Sequence, residues 1–286
     1  RILNEKMATL GGFYHNMQAI RVVTRLESRY AEHDGLNLSW ETLEGILKHN
    51  GPLLDANGRP VGRHLREGLP FGLDDIPASA DLEPATHASL EAQAAAIADD
   101  IAYDAHDIDD ALRAGLLRLP ELVEVPLVGP VVREVLDRWP GLESSRQAHE
   151  VQRRLITRGI EDVIATTTAE LSELAPRDVA DIRNAGRTLV RFSDAVAADE
   201  LALKQFLFDK VYRHETVMEP ARRSQAVVAA LFDRYLAGTE LPGHWGTALN
   251  SAEGEEQRAR IVCDFIAGMT DPFALDLTPE LIIRAY

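Results

Sequence analysis

The stretch ASLEAQAAAIADDIAYDAHDIDDALRA, residues 88–114, decides the fold. It reads as one helix ending at Gly115. Ile97, Ile101, Ala105, Ile108 and Leu112 fall on one side as an apolar stripe that docks the helix on a core. Asp99, Tyr103 and Asp107, spaced i, i+4 and i+8, stack along the opposite face. That face also carries Ala92, Ala96 and Ala114, small residues that admit close neighbours. A helix of this pattern is expected to be buried on both sides. Carboxylates in such a place need a partner.

Electrostatics sharpen the expectation. Residues 99 to 110 hold six aspartates and neither lysine nor arginine. Aspartate is a modest helix former, and like charges at i, i+4 cost roughly 0.2–0.5 kcal/mol per pair. The cost is recovered most simply by a bound cation or by arginines on a facing helix. A solvated acidic face is the plainer alternative. Tyr103, set between two aspartates on an alanine-lined face, points toward a site.

Outward from this helix the pattern stays helical. Residues 12–32 predict a helix with Ile20, Val23, Thr24 and Leu26 inward. Ser39 can cap a second one, Trp40 to His49, which Asn50-Gly51-Pro52 stops. From about 50 to 85 glycine and proline are frequent and no period holds, which predicts a long loop of the kind that covers a site. Further helices are expected at 143–174, broken at Pro176, and at 199–213, 219–237 and 254–268. Only Thr188–Phe192 hints at a strand. The fold class is all-α.

Composition sets outer limits. With 286 residues and 45 % hydrophobic content the chain can build one large domain or two modest ones. A formal charge of −16 argues against broad binding to nucleic acid or to an anionic membrane. The single cysteine, Cys263, lies in the apolar run Ile261–Ile266 and reads as a small core residue. It cannot form a disulfide within the chain, which fits a cytoplasmic protein. No apolar run approaches the length that spans a bilayer. There is no P-loop, GxGxxG, HExxH, CxxC or GxSxG motif. His33-Asp34 and His106-Asp107 spell the dipeptide of metal-binding HD phosphohydrolases. The first is simplest as a helix end, whereas His106 lies beside the Asp99 face and can reach the same space. Trp40, Trp139 and Trp245 read as packing residues, and Lys48-His49 as a cationic helix end favoured by the helix dipole.

Several segments together resemble one family. They are Gly11-Gly12-Phe13-Tyr14-His15-Asn16 with Gln18 and Arg21, then Val23-Thr24-Arg25-Leu26-Glu27. Gly35 to Gly45 and Lys48-His49-Asn50-Gly51-Pro52 follow. The most specific is Glu91-Ala92-Gln93 leading into Ala98 through Asp110; Phe206-Leu207-Phe208, Tyr212-Arg213-His214 and Gly268-Met269-Thr270-Asp271 complete the set. The chain resembles, along its whole length, the deoxyguanosinetriphosphate triphosphohydrolase-like proteins of the HD superfamily.

The resemblance implies an HD-domain-like multi-helix bundle with a helical C-terminal extension. Residues 1–135 would be part of the catalytic core and 136–286 a helical portion packed with it. It implies a divalent cation, Mg²⁺ or Mn²⁺, held by an H…HD…D set whose last member is Asp99. Tyr103 and Asp107 would meet the substrate's phosphate and sugar, and His15 would face the triphosphate near the bond that breaks. The implied reaction is hydrolysis of a deoxynucleoside triphosphate such as dGTP to deoxynucleoside and tripolyphosphate, in a homo-oligomer. His106 and Arg154 are further candidate substrate contacts; for Arg154 a salt bridge with Asp104 or Asp109 is the competing role. The first histidine and the HD pair would precede Gly11 and have no counterpart in residues 1–286. The N-terminal part of the HD core is therefore expected to be missing from this chain. The alternatives are a non-catalytic nucleotide-sensing or assembly subunit and an HD phosphodiesterase acting on another phosphate ester.

Overall fold

The computed structural model describes residues 1–62, 64–67, 76 and 79–279; the remainder of the expected 50–85 loop lies outside them. Its helices are α1 (Ile2–Lys6), α2 (His15–Arg21), α3 (Trp40–Leu47), α4 (Leu90–Arg113), α5 (Gly129–Arg138) and α6 (Ser144–Leu174). After these come α7 (Asp194–Leu207), α8 (Glu215–Leu236), α9 (Gly243–Ser251), α10 (Gly254–Ala267) and α11 (Asp271–Asp276). Two π-helical turns, Val22–Leu26 and Phe208–Tyr212, extend α2 and α7. The described residues contain no strand, only an isolated bridge between Leu54 and Pro60. None of their helices is long and apolar enough to cross a membrane.

The chain forms two compact units, one of residues 1–47, 53–83 and 219–286, the other of 48–52 and 84–218. A division after residue 135 would fall inside α5. The second unit is organised by α4, as the residue pattern predicts. Ser89 caps it by accepting from the Ala92 N–H. Ala105, Ile108 and Ala111 enter a core with Val131, Val132, Val135, Val151, Leu155, Leu203 and Leu207. Ile101 belongs to a second cluster with Val163, Val190 and Phe192. The α4–α6 crossing is close because Gly159 has no side chain: a Cβ there would sit 3.3 Å from the Ile101 Cγ1.

Residues 188–192 form no strand. The Gln93 side chain takes the role of a neighbouring strand, its Oε1 accepting from the Leu189 and Val190 N–H groups at 2.8 and 3.1 Å while its Nε2 donates to the Ala88 carbonyl. A side chain 96 residues away satisfies both amides, so no ladder is needed.

In the first unit Met7, Val227, Leu231, Phe232, Val262 and Cys263 share a core, and burial pushes the Cys263 thiol up to about 12. The helix expected over 12–32 ends at Leu26. Its last carbonyls are claimed by a returning loop: Gly35 N–H donates to Glu27 O and Leu36 N–H to Val23 O, both at 2.7 Å. Gly35 has φ +71°, and a Cβ on it would lie 2.5 Å from the Thr24 backbone, so only glycine permits the return. Trp245 packs in the first core and Trp139 against the second unit's core, but Trp40 is exposed.

Candidate functional site

Because α4 is docked on its apolar stripe, its acidic side is held in a fixed register. Asp99 and Tyr103 are exposed, Tyr103 to 62 %, and Asp107 is half-buried. The expectation that this face is covered is therefore not met: in this chain it opens to solvent. The carboxylates that are buried lie beside it, Asp104 at 5 % and Asp109 at 7 % exposure.

From α7 and its π-helical continuation one lysine and one neutral tyrosine hydroxyl meet the run, where a bound cation or arginines on a facing helix were expected. Lys204 Nζ donates to Asp100 Oδ1 at 3.0 Å and also pairs with Glu200 one turn earlier. Burial works against the charged ammonium, but these two carboxylates outweigh it and hold its pKa above the ordinary range. Asp104 faces the same lysine and has no hydrogen-bond partner among the described residues. Burial, opposed by Lys204 and reinforced by Glu200, Asp100 and Asp107, pushes its carboxyl up to about 7. The Tyr212 hydroxyl donates to Asp107 Oδ2. Burial and then that hydrogen bond raise the Tyr212 pKa, so the phenol keeps its proton. On α4 itself, Arg113 pairs with Asp109 at 2.6 Å.

His15 belongs to the first unit, whereas Asp99, Tyr103 and Asp107 belong to the second. His15 opens α2, is exposed, and meets the Tyr14 ring edge-on at 5.0 Å; Tyr14 in turn meets His64 at 6.0 Å. Among the described residues no three His, Cys, Asp or Glu side chains come together as a metal-binding set. The residues present do not by themselves fit a bound divalent ion, for which Asp99 offers a single carboxylate.

Residues 190–280 match the family model described as the phosphohydrolase-associated domain. A deoxyguanosinetriphosphate triphosphohydrolase-like protein 1 from Mesorhizobium japonicum is 50 % identical over 98 % of this chain and 70 % of its own length. A deoxyguanosinetriphosphate triphosphohydrolase-like protein from Azorhizobium caulinodans is 51 % identical over 98 % of this chain and 72 % of its own. The chain belongs to this triphosphohydrolase-like family. Membership places it among phosphohydrolases.

The structure brings Asp99, Tyr103 and Asp107 of the family motif onto one face; His106 and Arg154 make other contacts within the same unit, and His15 belongs to the other unit. His106 Nδ1 is 2.9 Å from Gln152 Nε2 on α6. Arg154 forms a salt bridge, but with Glu134 at 2.5 Å and Glu150 at 3.4 Å instead of Asp104 or Asp109. Its guanidinium also lies 5.1 Å over the Trp139 ring. Arg153 and Arg158 complete this network through Glu150 and Glu134. Lys48 is buried and donates to Thr86 Oγ1 at 2.8 Å, a tertiary contact in place of a helix-end charge.

Sequence reasoning missed Asp104, Lys204 and Tyr212. Lys204 and Tyr212, eight residues apart on α7 and its continuation, meet Asp100 and Asp107, seven apart on α4. The pairing depends on how α7 and its wider turn approach α4, which leaves no period in the sequence.

Proposed function

We propose that this protein hydrolyses deoxynucleoside triphosphates, dGTP among them, to deoxynucleoside and tripolyphosphate in a divalent-metal-dependent reaction. One observation carries the reading: in a member of this family, Asp99 and Tyr103 stand exposed and Asp107 half-buried along one face of a helix anchored by its core. A face that is both rigid and accessible suits a ligand better than a structural ion pair.

In this reading Asp99 contributes one carboxylate to a site for Mg²⁺ or Mn²⁺, an ion that would neutralise phosphate oxygens and supply the attacking water. Asp107 accepts a hydrogen bond from the sugar, and the exposed Tyr103 ring meets sugar or phosphate. Hydrolysis breaks the bond between the α-phosphorus and the 5′-oxygen, which leaves as an alcohol and must gain a proton. His15, exposed at the start of α2, is the residue assigned to that proton. His106 is a flanking contact, and Arg154, already paired twice, contributes through the rigidity of α6. Assembly as a homo-oligomer and a cytoplasmic location belong to the same reading.

The test uses the protein at the full length of its relatives, incubated with each dNTP and Mn²⁺ or Mg²⁺, with products separated by ion-exchange chromatography. Tripolyphosphate and deoxynucleoside are expected; Asp99→Ala abolishes both metal binding and turnover, and Tyr103→Phe chiefly raises KM. Folded protein that releases no tripolyphosphate overturns the reading. Turnover of another phosphate ester instead identifies a phosphodiesterase. Nucleotide binding without any turnover identifies a sensing subunit.

A further inference from the structure

The second unit leaves part of its apolar surface uncovered. Leu90, Ala94 and Ile97 of α4 line one side of a groove of about 520 Å³, and Val163 and Ile164 of α6 line the other. Beside the groove Ile160 and Ile164 project, 45 % and 60 % exposed. Exposed isoleucines next to an open apolar groove mark an interaction surface. The sequence of α6 repeats the signal: Thr157, Ile160, Ile164, Thr167 and Leu171 follow at spacings of three, four, three and four, the seam of a helix that packs on another helix. Val163, on the inner flank of that seam, is already buried with Ile101. Arg153 continues the seam one turn earlier, and its pair with Glu150 leaves its side chain 63 % exposed. Charge gives the groove a direction. The helices α4 and α6 run antiparallel, since Ile101 meets Gly159 while Leu90 and Thr168 line the same groove. Counted from the Ile101–Gly159 contact, Glu91 stands level with residue 169 of α6. Glu91 is the charged residue of the groove lining, is exposed, and has no ion pair among the described residues.

We propose that this groove seats a second copy of the chain: two α6 helices pack antiparallel about a two-fold axis, and Ile160 and Ile164 of each fill the groove of the other. The surface is self-complementary, since the same patch carries the hollow and the knobs that fill it, as a two-fold contact requires. With the axis midway between Ile160 and Ile164, each Ile160 meets Ile164 of the other copy. Arg153 of the other copy then arrives level with residue 171, about 3 Å along the helix from the level of Glu91, and pairs with it. A parallel pair would set Arg153 beside Arg153 and leave Glu91 unmet. The contact uses the apolar side of α4, opposite Asp99 and Tyr103, so it leaves the acidic face open. It assigns a surface to the assembly inferred above and does not rest on the hydrolase activity.

Sedimentation equilibrium of the protein at the full length of its relatives reads the dissociation constant of the assembly. Ile164→Asp is expected to weaken it about 100-fold or more. Arg153→Glu and Glu91→Arg are each expected to weaken it about tenfold, and both substitutions on one chain to restore it to within about threefold of wild type. An equimolar mixture of the two single variants is expected to associate as well as the double variant, because both cross-copy pairs are then reversed. An assembly indifferent to Ile164→Asp and to both reversals uses another face and overturns the proposal, as does a wild type that stays monomeric. Should Ile164→Asp melt below wild type, the charge reversals decide alone: weakening without rescue overturns the proposal. Ile164→Cys is expected to react slowly with maleimide in the assembly and rapidly once diluted to monomer. Slow reaction in the monomer means that another part of the same chain fills the groove, which also overturns it. Turnover of dNTPs by a monomeric protein overturns this inference and leaves the hydrolase reading standing; the expected assembly without turnover supports this inference and overturns the hydrolase reading.

Discussion

Replacing Asp104 by Asn isolates the electrostatic cost of the acidic helix. The residue is 5 % exposed, its carboxyl has no hydrogen-bond partner among the described residues, and Lys204 is the charge that opposes its protonation. Its pKa, 3.8 ordinarily, is pushed up to about 7 by burial. For an acid raised on folding, the folded state keeps its proton after the unfolded chain has lost it. Stability therefore falls as pH rises from about 4, and the loss is complete once the folded carboxyl also ionises, above about 7. Between pH 5 and pH 8 this corresponds to about 2.5 kcal/mol at 1.36 kcal/mol per pH unit, reduced to roughly 2 kcal/mol by water reaching the edge of the cluster. Asn has the shape of the protonated acid and does not titrate. Urea unfolding of both proteins at pH 5 and pH 8 reads the effect. The variant is expected to gain roughly 2 kcal/mol on wild type between the two pH values, with unchanged m. Parallel behaviour of the two proteins would mean that Asp104 ionises at an ordinary pH, and the buried-carboxyl reasoning would be refuted.

Three further outcomes follow from single contacts. Gln93→Leu leaves the Leu189 and Val190 N–H groups and the Ala88 carbonyl without their partner, and is expected to cost about 3–5 kcal/mol in denaturant unfolding. Gly35→Ala brings a Cβ to 2.5 Å from the Thr24 backbone at φ +71°, and a loss of about 2 kcal/mol or more in thermal unfolding is expected. Arg21→Met breaks the 2.5 Å pair with Asp264, whose side chain is only 3 % exposed. The expected cost is about 3–5 kcal/mol, and Arg21→Met with Asp264→Leu should recover much of it by removing the stranded charge.

What the residues disclosed and what they concealed divide along a physical line. The α4 stripe was legible because burial acts on a whole face: Ile101, Ala105 and Ile108 recur at helical spacing, and all three are buried. Cys263 was legible for the same reason. The end of the first long helix was not, because it depends on the N–H groups of Gly35 and Leu36 returning to the carbonyls of Glu27 and Val23 from about ten residues away, an event that leaves no period in the sequence. The strand hint at 188–192 failed likewise, since a partner for those amides exists 96 residues earlier in Gln93.

The acidic run shows the same division within a single site. That it needed compensation was readable from its charge; which side chains compensate was not. The pattern named a bound cation or arginines, and the fold supplied Lys204 to Asp100 and the Tyr212 hydroxyl to Asp107. Arg153, Arg154 and Arg158 of α6 were already committed to Glu134 and Glu150. The carboxylates nearest the core have a charge of the fold beside them, Arg113 at Asp109 and Lys204 at Asp104, while Asp99 and Tyr103 stand open. A face whose inner half is met by side chains of its own fold can leave its outer half exposed, so α4 serves as a core element on one side while Asp99 and Tyr103 remain accessible on the other.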